Sequence, residues 1–132
     1  MLKRNKRFLI MLLILALPFG CVGCSTGASA SYEQISGAEA KALMDSESGY
    51  IIIDARTQEE YDQGHIPGAI LIPEYEIADR AEKELPDKDH LILVYCRSGR
   101  RSKIAAEELV KLGYTNVKEF GGIIDWEYET VK

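Results

Sequence analysis

The segment Leu91–Tyr95, LILVY, is the most strand-like stretch of the chain, and Cys96 follows it directly. A short apolar run of this kind predicts a buried strand. It lies within a regular alternation of strand and helix signals. Ser36-Gly37-Ala38-Glu39 has capping-box spacing, and Ala40, Leu43 and Met44 form an apolar stripe behind it. Tyr50–Ile53 predicts another buried strand, ending at Asp54. Thr57 and Glu60 form a second capping box that opens a short helix through Tyr61. Ala69–Ile72 predicts a strand closed by Pro73, and Glu74–Leu85 a helix stopped by Pro86. Gly99 or Arg100 through Leu112 predicts a helix with Ile104, Ala105, Leu109 and Leu112 on one side and Gly113 as its cap. Val117–Phe120 predicts the last strand, which Gly121-Gly122 should break before a final turn carrying Trp126.

Strands alternating with helices imply an α/β domain with a mainly parallel sheet. In such folds the ligand site lies beyond the carboxyl ends of the strands. Two groups should sit there: Asp54-Ala55-Arg56 after one strand and Cys96 after another. The chain has 132 residues, enough for one domain and hardly two. With 46% hydrophobic residues it can bury a core and is not of disordered composition.

Charge divides by position. The whole chain carries a net −5. Residues 1–31 hold Lys3, Arg4, Lys6 and Arg7 and no acid. Residues 24–132 hold 12 basic and all 21 acidic residues, a net of −9. Such an acidic body excludes a general nucleic-acid binder, which needs clustered Lys and Arg for phosphate contacts.

The basic start is followed by the apolar run Phe8–Leu17 and then by small residues, the layout of a secretory signal. The run falls short of the roughly 20 residues a membrane-spanning helix needs. Val22-Gly23-Cys24 resembles the lipobox of bacterial lipoproteins, in which the Cys is lipidated and becomes the mature N-terminus. Cys21 is the alternative lipidation site, and a plain secreted or periplasmic protein with a Cys21–Cys24 disulfide is the competing reading. Residues 1–23 are thus expected to be a lipoprotein-type signal peptide, 24–32 a small-residue tether and 33–132 the folded domain. The expected location is extracytoplasmic, held at a bacterial cell membrane by the lipid anchor.

Cys96 is then the lone Cys of the folded body, either an apolar filler or a reactive thiol. Its surroundings favour reactivity. Arg97, Arg100, Arg101 and Lys103 supply four positive charges, and no acid lies between His90 and Ala106. Nearby cations and a helix N-terminus favour the thiolate. The free N–H groups of Arg97-Ser98-Gly99-Arg100-Arg101-Ser102 make an anion-binding nest. Cysteine phosphatases use a Cys-x5-Arg loop, and here that position is Ser102, with Arg101 one place early. A shorter loop suits a smaller target centred on sulfur, so sulfur transfer is the preferred chemistry.

Cys96-Arg97-Ser98-Gly99-Arg100-Arg101-Ser102 resembles the active loop of single-domain rhodaneses, a sulfurtransferase family. Asp54-Ala55-Arg56, Glu60-Tyr61 and Gly64-His65-Ile66-Pro67-Gly68-Ala69 resemble the family's upstream signature. Gly113-Tyr114, Val117, Gly121-Gly122 and Trp126 resemble its C-terminal one. The resemblance implies a rhodanese-like three-layer α/β fold with helices on both faces of the sheet. It implies that Cys96 takes sulfane sulfur from a small anionic donor such as thiosulfate, as a persulfide, and hands it to a thiol or cyanide. Loop N–H groups would stabilise the persulfide, and Arg97 and Arg101 would orient the donor. No cofactor or metal is implied, and His65 and His90 lie far apart. Asp54, Arg56, His65 and Trp126 are candidates for the border of the site, with His65 read mainly as structural. A non-enzymatic anion- or partner-binding module of the same fold is the alternative, followed by phosphatase or arsenate reductase chemistry on Cys96.

The anchor is directly testable. Cys24→Ala is expected to release the protein from membranes or to leave an unprocessed precursor in a cell-fractionation blot. Normal membrane retention of both Cys24→Ala and Cys21→Ala would show that neither cysteine is the anchor.

Overall fold

A computed structural model describes residues 31–132. The expected signal peptide, both candidate lipidation cysteines and most of the tether lie outside the described residues. Five strands form one all-parallel sheet: β1 (Glu33–Gln34), β2 (Ile51–Asp54), β3 (Ile70–Leu71), β4 (Ile92–Cys96) and β5 (Val117–Gly122). Their order across the sheet is β1-β5-β4-β2-β3. The helices are α1 (Gly37–Ser46), α2 (Gln58–Gln63), α3 (Ile77–Glu84) and α4 (Arg100–Lys111). None of them is long and apolar enough to cross a membrane.

Strand alternation sends side chains to two cores. Ile53, Ile92, Val94 and Cys96 face one side, where they meet Ala81 of α3 and Ala105, Ala106 and Leu109 of α4. Ile52, Leu93 and Tyr95 face the other, where Ala40, Leu43 and Met44 of α1 cover them. Every residue of β4 is buried, as expected for a central parallel strand covered on both faces. The result is the expected three-layer α/β architecture. The chain steps from β2 outward to β3 and then crosses back to β4. The crossing puts a topological switch point between the carboxyl ends of β2 and β4, at Asp54 and Cys96.

Both capping boxes form. Ser36 Oγ accepts from Glu39 N while Ser36 N donates to the Glu39 carboxylate at 2.7 Å. Thr57 and Glu60 make the same reciprocal pair. Two expectations need correction. The helix expected over Glu74–Leu85 is a 3-10 turn, Glu74–Glu76, followed by α3. Glu74 N donates to Ala55 O and Glu76 N to Pro73 O, so the entry turn winds tightly against the end of β2. Gly121-Gly122 does not break β5 but belongs to it. Val94 pairs with Glu119, whereas Cys96 pairs with Gly122, so β5 carries one extra residue in a bulge. Gly121 takes φ +86°, which a residue without Cβ adopts freely. β1 is a strand the sequence did not signal: two exposed polar residues paired to β5 at the sheet edge.

Asp54 anchors the floor. It is wholly buried and accepts from Arg56 N, from Arg56 Nε and Nη2, and from Tyr95 Oη at 2.7 Å. Burial opposes charge on Arg56, but Asp54 outweighs it and the guanidinium is pushed up. Removing Asp54 would strand a buried cation, a change that costs about 3–5 kcal/mol. Asp54→Ala is therefore expected to lower the urea midpoint sharply. A midpoint within experimental error of wild type would contradict this role.

Candidate active site

β4 delivers Cys96 at the switch point, where the residue is 1% exposed. The chain then curls through Arg97-Ser98-Gly99 and enters α4. Gly99 caps that helix at φ +103°, a left-handed position, with no side-chain cap. Its N–H donates to Cys96 Sγ at 3.0 Å. Cys96 Sγ also lies 3.4 Å from Ser102 Oγ.

Burial pushes the Cys96 thiol up. Hydrogen bonds from the Ser102 hydroxyl and from the N–H groups of Ser102, Gly99 and Ser98 pull harder, and the net position lies below that of a free thiol. Among the influences that lower it, the hydrogen-bond donors around the sulfur come first. A thiolate held by several N–H groups at a helix start is a nucleophile over an anion cradle.

The cradle depends on bare backbone beneath it. A Cβ on Gly122 would stand 2.0 Å from Arg97 O and 2.6 Å from Ser98 Cα. The bulge in β5 and the missing side chain together let the sulfur loop lie directly on the strand.

The four cations separate in the structure. Arg101 makes a two-pronged pair with Glu60, Nη1 to Oε2 at 2.7 Å and Nη2 to Oε1 at 2.8 Å. This pair first, against burial, holds the Glu60 carboxyl at about 2. Arg101 is therefore a strut between α4 and α2. Arg100 and Lys103 point into solvent. Arg97 is exposed and makes no ion pair among the described residues. Ser98 is exposed at the rim, and Ser102 is buried under the sulfur.

The border candidates also separate. Asp54 is shielded beneath Tyr95 and does not reach the surface. Arg56 binds Gly64 O at 2.7 Å and fastens the loop before β3. His65 stacks on Tyr61 at 3.7 Å, places Nδ1 3.0 Å from Tyr61 O and exchanges backbone hydrogen bonds with Val131. It serves the loop and has no contact with Cys96. Trp126 lines a cleft beside the sulfur loop together with Arg97 and the edge of Arg56. Among the described residues no cluster of His, Cys, Asp and Glu is arranged to hold a metal ion.

Sequence reasoning missed Glu119. It is 3% exposed, and its Oε1 accepts from Ser102 Oγ at 2.6 Å and from Gly121 N at 2.8 Å. A signal was present: Glu119 lies two residues from Val117 in a strand, hence on the same inward face. Ser102 has one hydroxyl proton, and both Glu119 and a Cys96 thiolate compete for it. Opposite effects follow for two variants. Ser102→Ala should slow alkylation of Cys96 by iodoacetamide near neutral pH roughly tenfold, with its pH midpoint moved up, because a hydrogen bond to the charged sulfur is lost. Glu119→Gln should move that midpoint down, because a like charge is removed and the neutral amide oxygen competes more weakly than a carboxylate for the Ser102 proton. Shifts of the same sign in both variants would refute the competition.

Comparison with known proteins agrees with this geometry. Residues 36–129 match the rhodanese-like domain family. The chain is 44% identical over 80 residues to the thiosulfate sulfurtransferase PspE of Escherichia coli, covering 61% of this chain and 77% of that protein. It is 34% identical over 97 residues to the thiosulfate sulfurtransferase GlpE of Coxiella burnetii, covering 73% and 88%. Among solved structures, an E. coli rhodanese with anions superposes with a TM-score of 0.60 at 42% identity, covering 63% of this chain and 98% of that one. The parallel sheet, the bulged β5 and the Cys96 cradle thus belong to a rhodanese-like domain, and the chain is a member of that family.

Proposed function

We propose that this protein is a sulfurtransferase that carries sulfane sulfur on Cys96. The supporting observation is the sulfur itself: a buried Sγ with its thiol pulled down by N–H donors at the start of α4. The Cys96 thiolate attacks the outer sulfur of a donor such as thiosulfate. The donor's S–S bond breaks, sulfite leaves with the electron pair, and Cys96–S–S⁻ remains. A nucleophile, thiol or cyanide, then attacks the outer sulfur and Cys96 departs as thiolate. This is covalent, two-stage catalysis. The charge that moves onto the outer sulfur falls within the same cradle of N–H groups, which is preorganised to receive it. The names of the relatives support this class of reaction.

Incubation of the domain with thiosulfate is expected to add one sulfur atom to Cys96, read by intact mass, and cyanide is expected to remove it. Cys96→Ser should gain none. Absence of loading from both thiosulfate and a polysulfide would overturn the proposal.

A further inference from the structure

The sulfur site contains one buried acid that the transfer steps leave unused. Glu119 is 3% exposed, and no basic residue pairs with it among the described residues. Asp54, the other buried carboxylate among them, is matched by Arg56. The charge of Glu119 is held only by two donors to its Oε1, Ser102 Oγ at 2.6 Å and Gly121 N at 2.8 Å. A second negative charge close by therefore favours uptake of a proton.

The source of that second charge is two hydrogen bonds away. Cys96 Sγ lies 3.4 Å from Ser102 Oγ, so a single hydroxyl joins the thiol to the carboxylate. All three residues are buried, and Cys96 is 1% exposed, which keeps water from its proton. The other neighbours bring no cation. In the sheet, Glu119 stands opposite Gln34 of β1 and Val94 of β4, and the loop before α4 contributes Gly99. Tyr32, before β1, also senses it: burial, then Glu107 of α4 and Glu119, push the Tyr32 hydroxyl up. Cys96, with its thiol below that of a free thiol, is thus the neighbour that ionises first.

With both groups ionised, two negative charges would share the one proton of Ser102. One more proton satisfies the chain in either of two directions. In the first, the Cys96 S–H donates to Ser102 Oγ and the Ser102 O–H to the Glu119 carboxylate. In the second, a Glu119 O–H donates to Ser102 Oγ and the Ser102 O–H to the Cys96 thiolate. The site carries a single negative charge in both.

We infer that Glu119 is the proton acceptor of Cys96, reached through the Ser102 hydroxyl. The inference rests on the sulfurtransferase reading for the reaction it serves and deepens it. The Cys96 S–H bond breaks and its proton joins Ser102 Oγ, while the Ser102 proton joins Glu119 Oε1. The electron pair stays on Cys96 Sγ, which becomes the attacking thiolate, and nothing is oxidised or reduced. The carboxyl beneath the thiolate is then neutral, so an anionic donor meets one negative charge in the site and not two. Glu119 acts on the sulfur only through Ser102, as a positioning residue for the proton.

The test reads both groups in the same protein. Infrared spectra report the carboxylic-acid C=O band of a protonated carboxyl, and iodoacetamide alkylation followed by peptide mass reports the Cys96 thiolate. Near neutral pH, where solvent-exposed carboxyls are ionised, the wild-type protein is expected to retain such a band, and its alkylation rate should rise with pH in two steps. Glu119→Gln should remove the band, merge the two steps into one and speed alkylation about fivefold on the acid side of neutrality. Cys96→Ser should also remove the band with Glu119 still in place, because a hydroxyl at position 96 keeps its proton. A Glu119 that serves only packing would not respond to that change. Absence of the band from the wild-type protein, or a band unaltered by Cys96→Ser, would overturn the inference. Sulfur loading from thiosulfate, read by intact mass on the same samples, separates the two readings. Loading without a Cys96-dependent band overturns the proton acceptor alone, and the band without loading from thiosulfate or a polysulfide overturns the sulfurtransferase reading alone.

Discussion

The sulfur loop rests on the backbone of β5, and the rest of the site depends on that contact. Gly122 passes so close to Arg97 and Ser98 that a methyl group there would overlap the loop carbonyl. The bulge before it brings the strand into that position, and Gly121 adopts the left-handed backbone the bulge needs. With the strand beneath it, the loop can turn its N–H groups inward toward Cys96 Sγ instead of outward to water. The donors are then fixed before any charge appears on sulfur, the condition under which they act most strongly.

A second layer holds this arrangement in place. Asp54, Arg56 and Tyr95 form a buried network at the carboxyl ends of β2 and β4. From it Arg56 reaches Gly64, and the hydroxyl of Tyr95 accepts from Ile66 N. On the other flank Arg101 grips Glu60, which also caps α2. The charged residues nearest the cradle are thus largely spent on rigidity. This leaves stabilisation of the thiolate mainly to backbone dipoles and to Ser102, and leaves Arg97 as the cation at the cleft.

Much of the fold was legible because its signals are local. Capping boxes at Ser36 and Thr57 and the apolar run at Leu91–Tyr95 each declare themselves within a few residues. The split of the Glu74–Leu85 helix was not legible, because a hydrogen bond from Glu74 to the distant Ala55 tightens its first turn. β1 was invisible for a similar reason: two polar residues become a strand only by pairing with β5. Gly121-Gly122 looked like a break, since glycine usually ends a strand. Here it permits a bulge and a close approach, which depend on a loop about two dozen residues earlier in the chain.

The site divides along the same line. The α/β alternation, the position of Cys96 at the end of a buried strand and the string of small and basic residues after it are written locally, because each depends on neighbours in the chain. Folding selects which charges remain available. It paired Arg101 with Glu60 and Arg56 with Asp54, turned Arg100 and Lys103 to solvent, and set buried Glu119 against Ser102. Those outcomes depend on side chains from separate elements meeting across the sheet, and electrostatic strength follows distance and burial, not spacing along the chain.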